Sequence, residues 1–405
     1  MVQTHGALEG LRIVACSQAQ AGTVGYMLAA MMGAEVIKVE TPEGGDSSRA
    51  QAGQIPGFPS SYFETNNRGK KSFTLNLKAP EAKEIMYKLI KTADVFAQNF
   101  RPGAMERNGM GYEDLKKVNP KIVYVSVSGY GPKGPHAMLP GTDSIGQALS
   151  GVCEAFSSPG ELMKTGVVSI ADEMCAVTTY CAMLTGLYYA QRTGIGQKID
   201  CSLLGGQIRL MGHVFNTAMW KNESPVTGQA RMGGTYNNPS FAASFNDRNG
   251  KPFCVQGIGK QWKEIMTKLG FWKMLEERGQ TNLGDAVVSD EKRSKLLKTL
   301  DECFATDTRE RWVEFFRGED IISAPINTLL EASNDPDVIA NEYVTWVDYP
   351  KYGKKIKVHG SPWIFSETPP KIGIAPELGA DTEPILKELG YSNAQIKEFR
   401  DKKVI

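Results

Sequence analysis

The chain has 405 residues, with 46 lysines and arginines against 45 aspartates and glutamates, giving a formal net charge of +1. A protein that held nucleic acid through phosphate contacts would need a marked cationic excess, so that class is set aside. The length supplies ample core for two domains. No apolar run reaches the ~18 residues of a membrane span, and Met1 to Gly10 lacks a signal peptide's apolar segment, so a soluble, cytoplasmic protein is expected.

The seven cysteines (16, 153, 175, 181, 201, 254 and 303) are odd in number and form no C-x-x-C pair. They read as reduced core residues rather than a disulfide frame. Four histidines (5, 136, 213 and 359), none in H-E-x-x-H spacing, point away from a metal enzyme.

In chain order, Leu11 to Cys16 is a predicted strand, Ser17 to Gly22 a turn and Thr23 to Met32 a helix closed by Gly33; Glu35 to Glu40 is a second strand. This is a βαβ unit of the doubly wound kind. A dinucleotide site needs G-x-G-x-x-G in the first turn, but the chain has Gln18-Ala19-Gln20-Ala21-Gly22-Thr23 there; no phosphate-binding G-x-x-x-x-G-K-[ST] occurs either. Further strands are predicted at Ser72–Leu77, Asp94–Phe100 and Lys121–Ser128, with a helix from Pro80 to Thr92. In open α/β sheets ligands gather beyond the carboxyl ends of the strands, where Gln20, Asn99, Phe100, Arg101 and Tyr130 lie.

The stretch Val168 to Ala176 then places Asp172 at the start of a long apolar helix, with Ala176, Tyr180, Met183 and Leu187 at helical spacing and Thr193-Gly194-Ile195-Gly196 as its stop. Two readings stand here. Asp172 is an N-cap whose carboxylate satisfies free backbone N–H groups, or it is a carboxylate nucleophile on a rigid helix end.

Asp200 to Trp220 reads as one more long helix, and Asn222 to Pro239 as a loop containing Met232-Gly233-Gly234. From Phe241 to Ile326 short strands alternate with amphipathic helices such as Gln261–Leu269 and Arg309–Arg317, a smaller α+β domain. Pro336–Thr345, Pro362 and Pro369-Pro370 form an irregular return, and a last helix near Thr382–Leu389 packs on the first domain. The domains expected are 1–200 (large, α/β), 201–240 (linker helix and glycine loop), 241–330 (small, α+β) and 331–405 (return segment).

Taken together, Gly10-Leu11-Arg12-Ile13-Val14, Gln20-Ala21-Gly22, Gly33 to Glu40, Asn99-Phe100-Arg101-Pro102-Gly103, Gly129-Tyr130-Gly131, Ala171-Asp172 and Thr193 to Gln197 make the whole chain resemble the class III coenzyme A transferases, the family of formyl-CoA and carnitine CoA-transferases. The resemblance implies a Rossmann-like large domain with a smaller one, in a dimer whose chains thread through each other like linked rings; a heteromer of homologous chains is the other assembly it allows. It makes Asp172 the catalytic aspartate and overturns the N-cap reading. Asp172 would carry the acyl group and then CoA as covalent aspartyl intermediates, passing CoA from an acyl-CoA donor to a carboxylic acid. A carboxylate of ordinary pKa, ~3.9, needs no helper base for this.

By the same resemblance Gln20 is the active-site glutamine, and Ala19, Ala21, Leu75, Lys78, Asn99, Phe100 and Arg107 line the CoA site. Lys78 and Arg107 suit phosphates and Phe100 or Leu75 would flank adenine. Met232, Gly233 and Gly234 form a short glycine lid over the intermediates. Thr41 and Pro140 stand where formyl-CoA enzymes have basic residues. No permanently bound cofactor is implied; acyl-CoA is substrate, and neither nucleic acid nor membrane is a partner.

Two rivals remain at this level. α-Methylacyl-CoA racemases share the fold but need a histidine in a G-H-D motif, which here is Gly141-Thr142-Asp143, with His136 out of register. A non-catalytic CoA-binding subunit would not need both Asp172 and Gln20. For the acid, Met174, Met232, Phe215 and Trp220 hint at something aromatic or apolar, such as the benzylsuccinate or aryl-lactate exchanges, alongside dicarboxylic acids.

Overall fold

The computed structural model of the chain describes residues 6–51, 58–157, 162–166, 168–224, 232–235 and 237–405, and these fall into two compact units. The first comprises Met1–Cys153, Met163–Glu223 and Asp337–Ile405. Its centre is a six-stranded sheet of β1 (Arg12–Cys16), β2 (Glu35–Glu40), β3 (Lys71–Thr74), β4 (Val95–Gln98), β5 (Val123–Ser128) and β6 (Lys198–Ser202), in the order β3-β2-β1-β4-β5-β6 with every pair parallel. This doubly wound order reverses beside β1, between β1 and β4, where such sheets open a crevice at the strand ends.

The apolar runs of the strands arise because both faces are covered. Along β1, Ile13 and Ala15 face one layer, with the helix Val24–Met31 and the long helix Ile170–Thr193. Val14 and Cys16 face the other, with the helix Ala82–Ile90 and the C-terminal helices Thr382–Glu388 and Asn393–Asp401. The last helix has no counterpart in the sequence reading, although Ser392 caps it and Ile396 and Phe399 seal it onto the core.

Three readings are corrected. Residues 200–202 are not helical but complete β6; the helix begins at Leu203, where Ser202 Oγ accepts from Gly205 N at 3.0 Å, and it bends at Gly212, whose φ of 51° only glycine adopts readily. The span read as a loop up to Pro239 contains β7 (Met232–Thr235) and the start of β8 (Asn238–Asn246), while residues 225–231 and 236 lie outside the described residues. The return segment is not irregular throughout: Pro336–Ala340 is helical, and the antiparallel hairpin of β11 (Val344–Tyr349) and β12 (Lys354–His359) turns at Gly353.

The second unit, Glu154–Leu162 with Ser224–Pro336, carries an antiparallel sheet in the order β10-β9-β8-β7, with β9 at Pro252–Gln256 and β10 at Ile322–Pro325. Five helices between Trp262 and Gly318 close its own core around Phe245, Phe253, Phe304 and Phe316. Phe304 is edge-on to Phe253, Phe271 and Trp312, the geometry that ring quadrupoles prefer.

Candidate active site

Asp172 is the third residue of the helix Ile170–Thr193, not its N-cap; Ser169 holds that place and makes no capping bond with its side chain. The free N–H groups of this helix end are served from outside. Asp143 Oδ1 accepts from Ala171 N at 2.8 Å and from Asp172 N at 3.2 Å. Asp143 opens its own helix, Asp143–Leu149, and the buried Gln147 fixes its second oxygen by donating at 2.5 Å. The two helices approach this closely because Gly146 faces Ala171: a Cβ on Gly146 would stand 2.8 Å from that of Ala171.

Asp172 is thereby left among carboxylates. Burial first, then the charges of Asp143 and Glu173, push its carboxyl up to about 7. The expectation of an ordinary carboxylate is corrected by this environment: desolvation and like charges both disfavour the anion. Tyr62, on the short helix Ser61–Asn67, is pushed up to about 12 by burial and by the same acids, Asp172 foremost.

Gln20 sits past the end of β1 and is buried. Its Nε2 donates to Glu173 Oε1 at 2.6 Å, so the side-chain amide is tied to the residue beside Asp172, while the backbone carbonyl of Gln20 accepts from Thr23 N and Val24 N at the start of the first helix. Ala19, just before it, has a left-handed φ of 58°, unusual for a residue with a Cβ and common where geometry serves a site. Asn99, past β4, exchanges two hydrogen bonds of 2.9 Å with the backbone of Gln18. It can do so because Gly22 leaves room: a Cβ there would lie 2.7 Å from that of Asn99.

A cavity of about 490 Å³ opens at these strand ends and brings together Ala19, Gln20, Ala21, Asn99, Phe100 and Asp172. Three expected CoA residues are not among its lining. Leu75, 1% exposed, is part of the sheet core; Lys78 and Arg107 are exposed, and Arg107 packs over Gly103. Met232, Gly233 and Gly234 form an edge strand of the second unit rather than a loop. None of Met174, Phe215 and Trp220 lines the cavity, and Trp220 is 83% exposed.

Sequence reasoning noted Arg101 at a strand end without counting it as a binding residue; it is a cation at the rim of this cavity. It missed Tyr62 and the capping role of Asp143. The tripeptide Gly141-Thr142-Asp143 was the available signal for Asp143, and nothing in the pattern around Tyr62 marked it. Gly141 lies directly against Gly129 after β5, so its loop is held over the strand ends. His136 packs beside the Tyr130 ring, at a centroid separation of 5.6 Å, and does not line the cavity. Among the described residues no three His, Cys, Asp or Glu side chains form a metal-binding group, and no helix is long and apolar enough to cross a membrane.

The model of CoA-transferase family III matches residues 8–382. A succinyl-CoA:glutarate CoA-transferase of Mus musculus is 32% identical over 97% of this chain and 88% of its own length. A formyl-CoA:oxalate CoA-transferase of Rhodopseudomonas palustris is 28% identical over 98% of this chain and 96% of its own. Among solved structures, a CAIB/BAIF family protein from Brucella suis superimposes with a TM-score of 0.84 at 26% identity, covering 95% of this chain and all of that one.

Proposed function

The chain belongs to CoA-transferase family III, and from that premise we propose that Asp172 carries the transfer of coenzyme A from an acyl-CoA to a carboxylic acid as a covalent intermediate. The observation that supports this best is the placement of Asp172. It is a partly buried carboxylate on a rigid helix end, facing a cavity at the sheet's switch point, with its basicity raised by its neighbours.

The ionised carboxylate attacks the thioester carbonyl; the C–S bond breaks, giving a mixed anhydride and CoA thiolate. The thiolate then attacks the aspartyl carbonyl, releasing the donor acid and leaving an aspartyl-CoA thioester. The acceptor carboxylate reverses both steps, so thioester is exchanged for thioester and Asp172 is regenerated. A carboxylate of raised pKa is a stronger nucleophile once ionised, at the expense of a larger protonated fraction near neutrality. An amide has two N–H donors. With one of Gln20's given to Glu173, the other is available to the oxygen that gains charge in each addition. Arg101 supplies a cation for CoA at the cavity, a part that Lys78 and Arg107 take only from outside it.

For the acids, a dicarboxylic acceptor is the reading that the relatives favour, since both are named for exchanges with one, glutarate or oxalate. The α-proton chemistry of a racemase has no base here in the expected place, because Thr142 occupies it. For assembly we propose a dimer: Tyr188, Tyr189, Met219 and Trp220, on the two long helices, expose apolar surface of a kind that interfaces cover. A folded monomer on dilution, by light scattering, would refute it.

The test of the reaction is a panel of succinyl-, formyl- and aryl-acyl-CoA donors against glutarate, oxalate and aromatic acids, with hydroxylamine added to trap the acyl-enzyme. Acceptor-dependent exchange and a hydroxamate at Asp172 are expected. Exchange without any adduct at Asp172 would overturn the covalent reading.

A further inference from the structure

A second aspartate lies out of reach of the cavity and yet determines how the cavity is built. Lys38 on β2 and Asp46 after it form an ion pair at 2.7 Å with both side chains fully buried. Neither residue lines the cavity. Lys38 Nζ also donates to Ser17 O at 2.6 Å. Asp46 accepts from Ala19 N at 3.2 Å with each oxygen, and Oδ1 accepts further from Ser48 N and Ser48 Oγ at 2.9 and 2.7 Å. The pair thus grips both ends of the Ser17–Ala19 turn, by a carbonyl at one and an N–H at the other. The pair itself is anchored: Asp46 N donates to Glu40 Oε2 at 3.0 Å, and Glu40 is held by Arg49 and Ser72.

The turn needs such a grip because Ala19, with φ at 58°, adopts a conformation that an L-residue leaves when nothing holds it. Gln20 follows directly, and the orientation of its amide toward Glu173, the neighbour of Asp172, is inherited from Ala19. We propose that Lys38 and Asp46 are positioning residues of the transferase: they act through Ala19 to hold Gln20 at the reacting centre. The proposal rests on the catalytic reading of Gln20 given above.

Its test is a double-mutant cycle. Lys38→Met with Asp46→Asn removes both charges together, since removing one alone leaves the other buried without a partner. With the fastest donor and acceptor of the panel, the paired substitution is expected to lower kcat by roughly 10- to 100-fold, the scale of a reacting group misplaced by about an ångström, with KM for the donor changed less than about threefold. In a Gln20→Ala background the same pair should cost less than about threefold, because the group it positions is gone. Amide exchange read by mass spectrometry should accelerate at least about tenfold in the peptide spanning Ser17 to Thr23 and stay unchanged in β4 and β5. Ser48→Ala, which keeps both charges and removes only the hydroxyl donor that fixes Asp46 Oδ1, serves the same cycle with a smaller loss in the same direction if the paired variant does not fold. Equal losses in both backgrounds, or unchanged exchange at Ser17–Thr23, would overturn the proposal. A Gln20→Ala enzyme with full kcat would overturn the reading of Gln20 instead, a result distinguishable from the other two.

Discussion

Asp46 and Asp172 are both largely withdrawn from water and belong to the same unit, but their surroundings drive them in opposite directions. Around Asp46, burial is outweighed by Lys38 and by the donors of Ser48, so its carboxyl is held below the ordinary range. Among the described residues no cation offsets burial around Asp172, and Asp143 and Glu173 add to it. The first arrangement fixes a charge permanently and suits a structural role. The second keeps a carboxylate poised between protonated and ionised near neutral pH, which suits a group that forms and breaks bonds. The difference lies in the partner each aspartate meets, since both are the same residue type.

The largest expected effect falls on the unpaired member. Asp172→Ala should lower transfer by about four orders of magnitude or more, as loss of a covalent nucleophile does. Since Asp172 is not the helix cap, the variant should remain folded, which circular dichroism checks. Substantial turnover would show that its isolation among acids serves something else.

Gln20→Ala is expected to lower kcat by roughly 10²–10³, the size of one preorganised donor to a developing oxyanion. A change confined to KM, measured by steady-state kinetics across donor concentrations, would move Gln20 from the chemistry to substrate binding.

A smaller effect sharpens the electrostatic contrast. The rate of hydroxylamine trapping should fall about tenfold per pH unit below the pKa of Asp172, near 7, and level off above it, because only the anion attacks. Asp143→Asn keeps an acceptor for Ala171 N but removes the larger of the two neighbouring charges that raise Asp172, so the acid limb should move to lower pH. A limb that stays in place would assign the shift to burial and Glu173 without Asp143.

The smallest expected effects are on stability, and their signs differ. The carboxyl of Asp172 is raised in the folded state, so its favourable contribution is complete below the unfolded value near 3.8 and is lost as pH rises through about 7. Asp172→Asn should therefore raise the melting temperature by a few degrees at pH 8 and by little at pH 5, on the order of what a relieved charge allows. The carboxyl of Asp46 is lowered, so its contribution is present above the unfolded value and is lost as pH falls through the lower folded one. Asp46→Asn should lower the melting temperature at pH 8, with the difference closing toward pH 3. Calorimetry across this range reads both, and shifts of the same sign would break the contrast.

How much of this was legible follows from where each signal resides. The first five strands were readable because parallel strands buried on both faces are continuous apolar runs, such as Val95-Phe96-Ala97 and Val123-Tyr124-Val125. Of the helices between them Val24–Met31 and Ala82–Ile90 were read, while the short Ser61–Asn67 and Tyr112–Val118 were not. β6, Lys198-Ile199-Asp200-Cys201-Ser202, is short, polar and at the sheet edge, so the apolar helix after it absorbed its last three residues in the sequence reading. The hairpin of β11 and β12 and the helix Asn393–Asp401 were missed amid charged, proline-bounded sequence in which long-range pairing, not local preference, makes the structure.

The amino-acid sequence by itself determined the βαβ repeats, the place of Asp172 on a helix end and the presence of Gln20, Asn99 and Phe100 at strand termini. These rest on periodicity, on turn chemistry and on residues adjacent along the chain. Only the tertiary structure decided the cap that Asp143 lends to a helix 28 residues on, the tie between Gln20 and Glu173, the buried Lys38–Asp46 pair beneath Ala19 and the separation of Leu75, Lys78 and Arg107 from the cavity. Charge interactions depend on distance and on how much water is excluded, and both are fixed by packing between segments remote in sequence.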